Sequence, residues 1–302
     1  FFFLLITFQF QFGIAQSAID STLIEREFID LKEALKQPER VYRLDLSNQS
    51  VQLPDNIWAK FPNLIYLSLK NDHLTEIPKG IGNLKKLEVL DLSGNDFKAL
   101  PLSFSNLTNL QELYLKNDHL KEIPKSIGNL KKLEVLDLSG NEFKALPSTF
   151  SNLMNLQELY LKNDHLKEIP KGIGNLRNLE ILDLSGNDFK ALPKTFSNLT
   201  NLQELYLNDD KYFQLKKGIP ILSQLPNLIS LHLENDNLKK LPSSILKLNY
   251  LESLYLNDNQ FKQLPEEISG LKNLKFVDFQ KNYLRAPNQD TQSENIGIKI
   301  VF

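Results

Sequence analysis

The sequence contains no cysteine, and it has only one methionine and one tryptophan in 302 residues. The absence of cysteine excludes disulfide bonds, thiolate metal ligands and cysteine nucleophiles, and it leaves the redox compartment open. A net charge of -2 gives no general reason to expect nucleic acid as a partner. No hydrophobic run reaches the ~18 residues that a membrane-spanning helix needs, so no membrane span is expected.

Signatures of catalysis and of cofactor binding are missing as well. There is no glycine-rich phosphate loop, and each Ser-Gly-Asn sequence follows a predicted strand as a turn rather than as a nucleophile elbow. His73, His119 and His165 recur at 46-residue intervals, so they would lie on every second repeat, roughly 10 Å apart, which is too far to share one metal ion. The sequence therefore predicts a protein that is not an enzyme and holds no metal or other cofactor.

What the sequence has instead is a 23-residue repeat, L-x-x-L-x-L-x-x-[ND]-x-[LF]-x-x-[LI]-P-x-x-[IF]-x-x-L-x-[NK]. In one unit Leu90 and Leu92 alternate with Asp91, which predicts a short strand with one buried face. A single unit cannot cover its own leucines, so the units must stack. Eleven units, the first irregular and the last incomplete, begin at Val41, Leu64, Leu87, Leu110, Leu133, Leu156, Leu179, Leu202, Leu228, Leu251 and Leu274. Positions are numbered below from the first residue of each unit.

This pattern resembles the leucine-rich repeat family, in the form found in exported bacterial proteins and in Ras-suppressor and Scribble-type proteins, from Val41 to about Pro287. The resemblance implies an α/β repeat solenoid: a curved horseshoe with a parallel β-sheet on its concave face, where such proteins usually bind. It also implies a ladder of hydrogen bonds from position 9 to the loop backbones. Aspartate alternates with asparagine there, and an ionised carboxylate cannot donate to a carbonyl, so half of the ladder must be satisfied by the neighbouring Asn or by water. The column reads Asp72, Asn95, Asp118, Asn141, Asp164, Asn187, Asp210, Asp236, Asn259 and Asn282.

Two positions alternate in size from one unit to the next. Position 11 alternates Leu with Phe, and position 18 alternates Ile with Phe, from Leu74 to Phe196. Core layers of large side chains interdigitate well with layers of smaller side chains, so a module of two units is expected to pack best. Recent duplication is the other explanation, and it accounts better for the near-identity of 87–132 and 133–178.

The two ends depart from the repeat. Residues 1–15 are predicted to be an export signal, with Phe1–Phe12 as the apolar stretch and a small-residue cleavage site at 13–15; a retained hydrophobic strand is the alternative. Residues 16–40 are predicted to form a helical cap with Ser21 as N-cap, ended by Pro38. The repeats occupy 41–287, and 288–302 form a second cap in which Ile296, Ile298, Ile300 and Phe302 alternate like a covering strand.

One unit, 202–227, has 26 residues instead of 23. A binding loop at 211–217 is one interpretation. An insertion on the outer side, where added loop length is tolerated, is favoured.

The strand residues that point away from the core line the concave face. Position 5 alternates Asp with Tyr, and glutamates occupy positions 2 and 3, whereas lysines collect on the outer arc at Lys79, Lys85, Lys86, Lys125, Lys131, Lys132 and Lys171. The predicted ligand-binding residues are Asp91, Glu112, Tyr114, Lys116, Asp137, Glu158, Tyr160, Lys162, Asp183, Glu204, Tyr206, His232 and Tyr255.

Two physical accounts of this face compete. The alternation of Asp with Tyr keeps like charges about 10 Å apart, so it could serve only to limit repulsion. Tyrosines flanked by carboxylates also suit a basic protein or peptide, because Tyr offers a large contact area at low entropic cost, and this interpretation is favoured. Three functions remain open: an exported interaction module, an intracellular scaffold of the Ras-suppressor type, and the recognition part of a larger effector enzyme.

Overall fold

The computed structural model describes residues 24–77, 80–284 and 297–302, and the strands in these ranges form one 13-stranded parallel sheet in chain order. Each of the eleven repeat units contributes one strand, from β2 to β12. β1 and β13 lie at the two edges. The strands are β1 Glu27–Phe28, β2 Arg43–Asp45, β3 Tyr66–Ser68, β4 Val89–Asp91, β5 Glu112–Tyr114, β6 Val135–Asp137, β7 Glu158–Tyr160, β8 Ile181–Asp183, β9 Glu204–Tyr206, β10 Ser230–His232, β11 Ser253–Tyr255, β12 Phe276–Asp278 and β13 Lys299–Val301.

Short 3-10 helices form the outer arc. In most units the proline at position 15 precedes the helix with extended backbone, as at Pro124 with φ -65° and ψ 147°, and its missing N–H ends any strand. The 3-10 helices are Pro38–Arg40, Ile57–Lys60, Ile81–Asn83, Leu102–Asn106, Lys125–Asn129, Ser148–Asn152, Lys171–Asn175, Lys194–Asn198, Ser243–Lys247 and Glu266–Gly270. In the 26-residue unit an α-helix, Leu215–Leu222, takes this place, so the extra residues lengthen the outer arc, as the favoured interpretation expected.

The core runs the length of the solenoid between the sheet and the arc. The leucines at positions 1, 4 and 6 are buried throughout, and so are the alternating Phe and Ile side chains of position 18. The open, curved, parallel architecture confirms the predicted fold class. Because each layer contacts only its neighbours, matching sizes between successive layers determine how well the core packs.

The turns after the strands also follow the 46-residue period. Gly94, Gly140 and Gly186 adopt φ between 69° and 75°, where a side chain is disfavoured. A β-carbon at Gly140 would clash with the side-chain oxygen of Asn117 in the preceding unit, and the other two glycines face equivalent asparagines. From unit 64 to unit 179, Asn at position 8 of one unit is therefore matched by Gly at position 8 of the next.

The position-9 ladder works in the same two-unit step. Asn141 Nδ2 donates to the carbonyl oxygens of Leu138 (2.6 Å) and Leu115 (2.8 Å), which belong to its own unit and to the preceding one. Asp118 Oδ1 accepts from the backbone N–H of Asn95 at 2.7 Å, and Asp118 Oδ2 has no hydrogen-bond partner. The expectation that asparagine satisfies the carbonyls that aspartate cannot is confirmed.

The N-terminal cap differs from the sequence prediction. In the described residues the chain is helical at 24–25 and again at Leu31–Ala34, and it forms β1 between them. Asp30 caps the second helix, accepting from Glu33 N at 2.9 Å. The expectation of one continuous helix in this cap was therefore wrong, because the backbone of Glu27–Phe28 pairs with β2 and Phe28 is buried.

At the other edge, β13 pairs in parallel with β12, as the alternating isoleucines indicated. Ile298 is buried there, whereas Phe302 is 57% exposed. The predicted export signal at 1–15, Ser21 and Ile296 lie outside the described residues.

Candidate ligand-binding face

The outward residues of position 5 form one continuous row across the sheet. The strand registers place Asp91 beside Tyr114, Tyr114 beside Asp137, and so on through Tyr160, Asp183 and Tyr206 to His232 and Tyr255. Lys116 and Lys162 follow two residues after the first two tyrosines, beyond the strand ends. The structure thus places the predicted strand residues on one surface, named here the tyrosine face.

Each of three tyrosines is paired with the glutamate two residues before it on the same strand. The hydroxyl of Tyr114 donates to Glu112 at 2.8 Å, and the same bond joins Tyr160 to Glu158 (2.8 Å) and Tyr206 to Glu204 (2.7 Å). Burial, reinforced by these carboxylates, raises the pKa of all three tyrosines well above the ordinary value. The three Glu–Tyr pairs are the repeated chemical unit of the tyrosine face.

The tyrosines are half-buried, whereas the sequence predicted that they would be exposed. Tyr255 is half-buried too, although its strand carries Ser253 in place of the glutamate, so packing on the sheet rather than the bond to glutamate covers the rings. Part of each ring is therefore already in contact with the sheet. The exposed part of each ring lies beside the glutamate of the same strand.

The aspartates of the row have a second role that the sequence analysis missed. Asp91, Asp137 and Asp183 each accept, through Oδ1, a hydrogen bond of 2.9 Å from the backbone N–H of the serine two residues later. Burial raises the pKa of Asp183, while Ser185 and Lys162 oppose the rise. Asp followed two residues later by Ser was the available signal, because that spacing is typical of side-chain turns at strand ends.

His232 interrupts the alternation and forms the most tightly bonded cluster of the face. Its Nε2 lies 3.0 Å from Glu204 Oε1 and 3.1 Å from Ser230 Oγ, and its Nδ1 lies 3.2 Å from Glu234 Oε1. Both ring nitrogens therefore face a carboxylate, which only the doubly protonated imidazolium can satisfy with two N–H donors. Burial lowers the pKa of His232, but the bonds to Glu204 and Glu234 outweigh burial, and the net pKa is raised. The bond from His232 lowers the pKa of Glu204 despite its burial.

The same histidine is stacked between two rings. Tyr206 lies on one side with ring centroids 3.9 Å apart, and Tyr255 lies on the other side at 4.0 Å. Phe276, at position 3 of the next strand, lies with its ring centroid 5.3 Å from that of Tyr255. The signal in the sequence was three successive position-5 residues with rings, where the earlier units alternate ring and carboxylate.

The lysines do not all lie on the outer arc. Lys85 and Lys131 reach carbonyl oxygens of the next outer helix, at Asn106 and Asn152. Lys132 instead donates to Asn109 Oδ1 at 2.8 Å, and it opposes the rise that burial produces in the pKa of Glu88. Lys132 thus stands at the border of the tyrosine face, which corrects its assignment to the outer arc, and Lys79 lies outside the described residues.

Other candidate sites are weaker. Within the described ranges no three His, Asp or Glu side chains are grouped so that they could hold a metal ion. No helix in the same ranges is long and apolar enough to cross a membrane. A groove of about 830 Å³ lies beside Tyr212 of the long unit, between Lys171 and Lys190, and none of its lining residues belongs to the tyrosine face.

Comparison with known proteins places this geometry in a family. The model of a leucine-rich repeat region matches residues 37–119 and 151–232, and two further leucine-rich repeat models match residues 100–143 and 250–271. An LRR protein of Leptospira interrogans is 27% identical over 92% of this chain and 100% of that one, with a TM-score of 0.45. The plant peptide hormone receptor RGFR1, solved in complex with RGF2, is 28% identical with a TM-score of 0.59, over 81% of this chain and 44% of the receptor chain. The protein belongs to the leucine-rich repeat family, whose domains are protein-interaction modules.

Proposed function

We propose that the protein is a non-catalytic binding module that holds a basic protein or peptide on its tyrosine face. The carrying observation is the threefold repetition of the Glu–Tyr pair in identical geometry along one row. Each pair presents an accepting carboxylate beside an aromatic ring, and Glu88, Glu134 and Glu180 add charge at the entry to the intervening strands. Export of the chain, expected from residues 1–15, stays a prediction.

The chain itself contains an example of the proposed recognition. The guanidinium carbon of Arg43 lies 4.1 Å from the ring centroid of Tyr66, on the neighbouring strand of the same face. Arg43 also bonds Glu27 at 3.4 Å. A guanidinium over a tyrosine with a carboxylate in reach is the arrangement that a basic ligand side chain would reproduce at Tyr114 and Tyr160. The solved receptor–RGF2 complex shows that a similar leucine-rich repeat protein binds a peptide hormone.

The test uses peptides selected on the wild-type protein from a random display library. Truncation of Tyr114 and Tyr160 to Ala should weaken their binding by about 2 kcal/mol for each tyrosine that anchors the interface. Tyr206 is left intact because it stacks on His232. Titration calorimetry measures the affinity, and thermal unfolding checks that each variant is folded.

Reversal of the outer lysines, Lys85→Glu with Lys131→Glu, is the control for a change of charge elsewhere. It should leave peptide binding unchanged. If binding survives the tyrosine truncations and is lost on lysine reversal, the outer arc and not the tyrosine face is the binding surface.

A further inference from the structure

The Glu–Tyr pairs recur at a fixed distance along the sheet. Glu112 and Glu158 are separated by the single strand β6, and Glu158 and Glu204 by the single strand β8. Two strand steps correspond to about 9.6 Å. Any ligand that engages successive pairs with equivalent groups must itself repeat at about this distance.

Few peptide conformations meet this condition. An extended β-strand places every second side chain on one face, at about 6.7 Å, which falls between one and two strand steps. A polyproline II helix has three residues per turn and rises about 3.1 Å per residue, so every third side chain lies on one face about 9.3 Å apart. This repeat matches two strand steps to within a few tenths of an ångström.

The residues between the pairs fit the same conformation. Position 3 reads Glu112, Val135, Glu158, Ile181 and Glu204 across the sheet, so half-buried apolar side chains alternate with the carboxylates. A ligand with one basic residue and two apolar residues per turn would place its basic groups on the glutamates and its apolar residues over Val135 and Ile181. Polyproline segments are already ordered before they bind, so little entropy is lost on docking against aromatic rings.

We infer that the ligand of the tyrosine face is a polyproline II segment with a lysine or arginine at every third residue, lying across the strands from β5 to β9. About seven residues suffice to reach all three Glu–Tyr pairs, because two intervals of three residues separate the first contact from the last. This inference rests on the proposed function and adds the conformation and the period of the partner.

Two capped nine-residue peptides of identical composition, six prolines and three lysines, test the period. One carries lysine at its first, fourth and seventh positions, and the other at its first, third and eighth, so no two lysines of the second peptide are separated by a multiple of three. Both carry the same charge and favour the same helix. Fluorescence anisotropy on the full chain should show about tenfold tighter binding of the first peptide. Ion pairs with Glu112, Glu158 and Glu204 are individually weak and add up, and the last contributes least because Glu204 already bonds His232.

The protein variants pair a change on the face with a matched change off it. Glu112→Gln with Glu158→Gln should abolish the preference between the peptides, and glutamine still accepts the tyrosine hydroxyls, so the fold is retained. Glu122→Gln with Glu168→Gln makes the same change of charge in the same two repeats, ten residues later, and should leave the preference intact. Circular dichroism checks the fold of both.

The outcomes separate the inference from the function on which it rests. Equal binding of the two peptides, weakened equally by the Glu112 and Glu158 changes, overturns the three-residue period and leaves an acidic binding face. A preference that persists in that variant overturns the assignment to the Glu–Tyr pairs. If neither peptide binds, the inference fails, and the library peptides and tyrosine truncations decide the proposed function separately.

Discussion

At the scale of single residues, His232 shows how one substitution changes the character of a row. Elsewhere in the row a tyrosine lies beside an aspartate on the next strand, and that aspartate accepts a hydrogen bond at the end of its own strand. His232 instead bonds two glutamates and stacks on two rings. An imidazolium between two carboxylates relieves the repulsion that Glu204 and Glu234 would otherwise exert on each other. The stack thus has a stabilising role as well as a place on the candidate binding face.

Replacement of His232 by Asn should destabilise the protein by about 2 kcal/mol at pH 6, because the two glutamates lose their shared cation while remaining partly solvated. The folded-state pKa of His232 is raised. The stabilisation that His232 provides is therefore complete below its unfolded-state pKa of about 6.5, and it is lost as the pH rises through its folded-state pKa. The destabilisation should shrink at pH 9, which urea unfolding at both pH values measures.

The exposed His165, which pairs with Asp188 at 3.8 Å, provides the control. His165→Asn should change stability by less than about 0.5 kcal/mol at either pH. An effect of His232→Asn that is independent of pH would contradict the imidazolium assignment.

Sequence reasoning identified the residues of the face but not their bonds. The row of position 5 follows from the repeat alone, because strand periodicity fixes which side chains point outward. The contact between His232 and Glu204 joins residues in different units, one of them of irregular length. The half-burial of the tyrosines depends on side-chain torsions, which periodicity does not encode.

At the scale of structural elements, the module of this solenoid is the pair of units. Three positions alternate with the same phase: Asn with Gly at position 8, Asp with Asn at position 9, and Leu with Phe at position 11. Each alternation is matched by a contact: the space above Gly140, the two carbonyls to which Asn141 donates, and the matched core layers. Duplication explains how the copies arose, and these contacts explain why a pair of units is the smallest step that preserves the packing.

Deletion of the pair 133–178 should therefore preserve stability better than deletion of the single unit 133–155, although the single deletion removes less core. The shorter deletion places Asp118 next to Asp164 with no asparagine donor between them. It also leaves two thin core layers, Leu120 against Leu166 and Ile127 against Ile173. A lost carbonyl partner and two methyl-sized voids together amount to about 3 kcal/mol. Chemical unfolding of the two variants measures the difference, and equal stabilities would leave duplication as the whole explanation.

The elements that the sequence predicted well are those fixed by local pattern. Strand positions, turns and the outer arc follow from leucine spacing and proline. The cap helix was wrong in extent because the pairing of Glu27–Phe28 with β2 is a contact between distant residues that local helical spacing cannot reveal.

At the scale of the whole molecule, buried carboxyl groups run along the solenoid. Burial raises the pKa of Asp118, Asp164 and Asp236 to about 8 and that of Asp210 to about 9. Between pH 4 and pH 8 the folded chain therefore binds more protons than the unfolded chain. The contribution of these groups to stability is therefore complete below their unfolded-state pKa near 4 and is lost as pH rises through about 8.

The melting temperature should accordingly be higher at pH 5 than at pH 8. Asp118→Asn with Asp164→Asn should flatten this dependence and stabilise the protein at pH 8 by about 1 kcal/mol per site, because the amide needs no proton and can donate to a carbonyl. Asp96→Asn, on the exposed rim beside His119, is the control and should not alter the slope. A stability that rises from pH 5 to pH 8 would refute the assignment.

The two consecutive aspartates of the ladder, Asp210 and Asp236, have a mechanical consequence. In all remaining pairs of neighbouring units from 64 to 251, one unit has aspartate at position 9 and the other has asparagine. Here Asp210 N donates to Asp236 Oδ1, and neither side chain has an amide group that could donate. Neighbours in a solenoid carry a load in series, so the weakest junction determines where the chain yields. The Glu204–His232 bond and the Tyr206–His232 stack cross this same junction, so a load that the ladder cannot carry there falls on the tyrosine face.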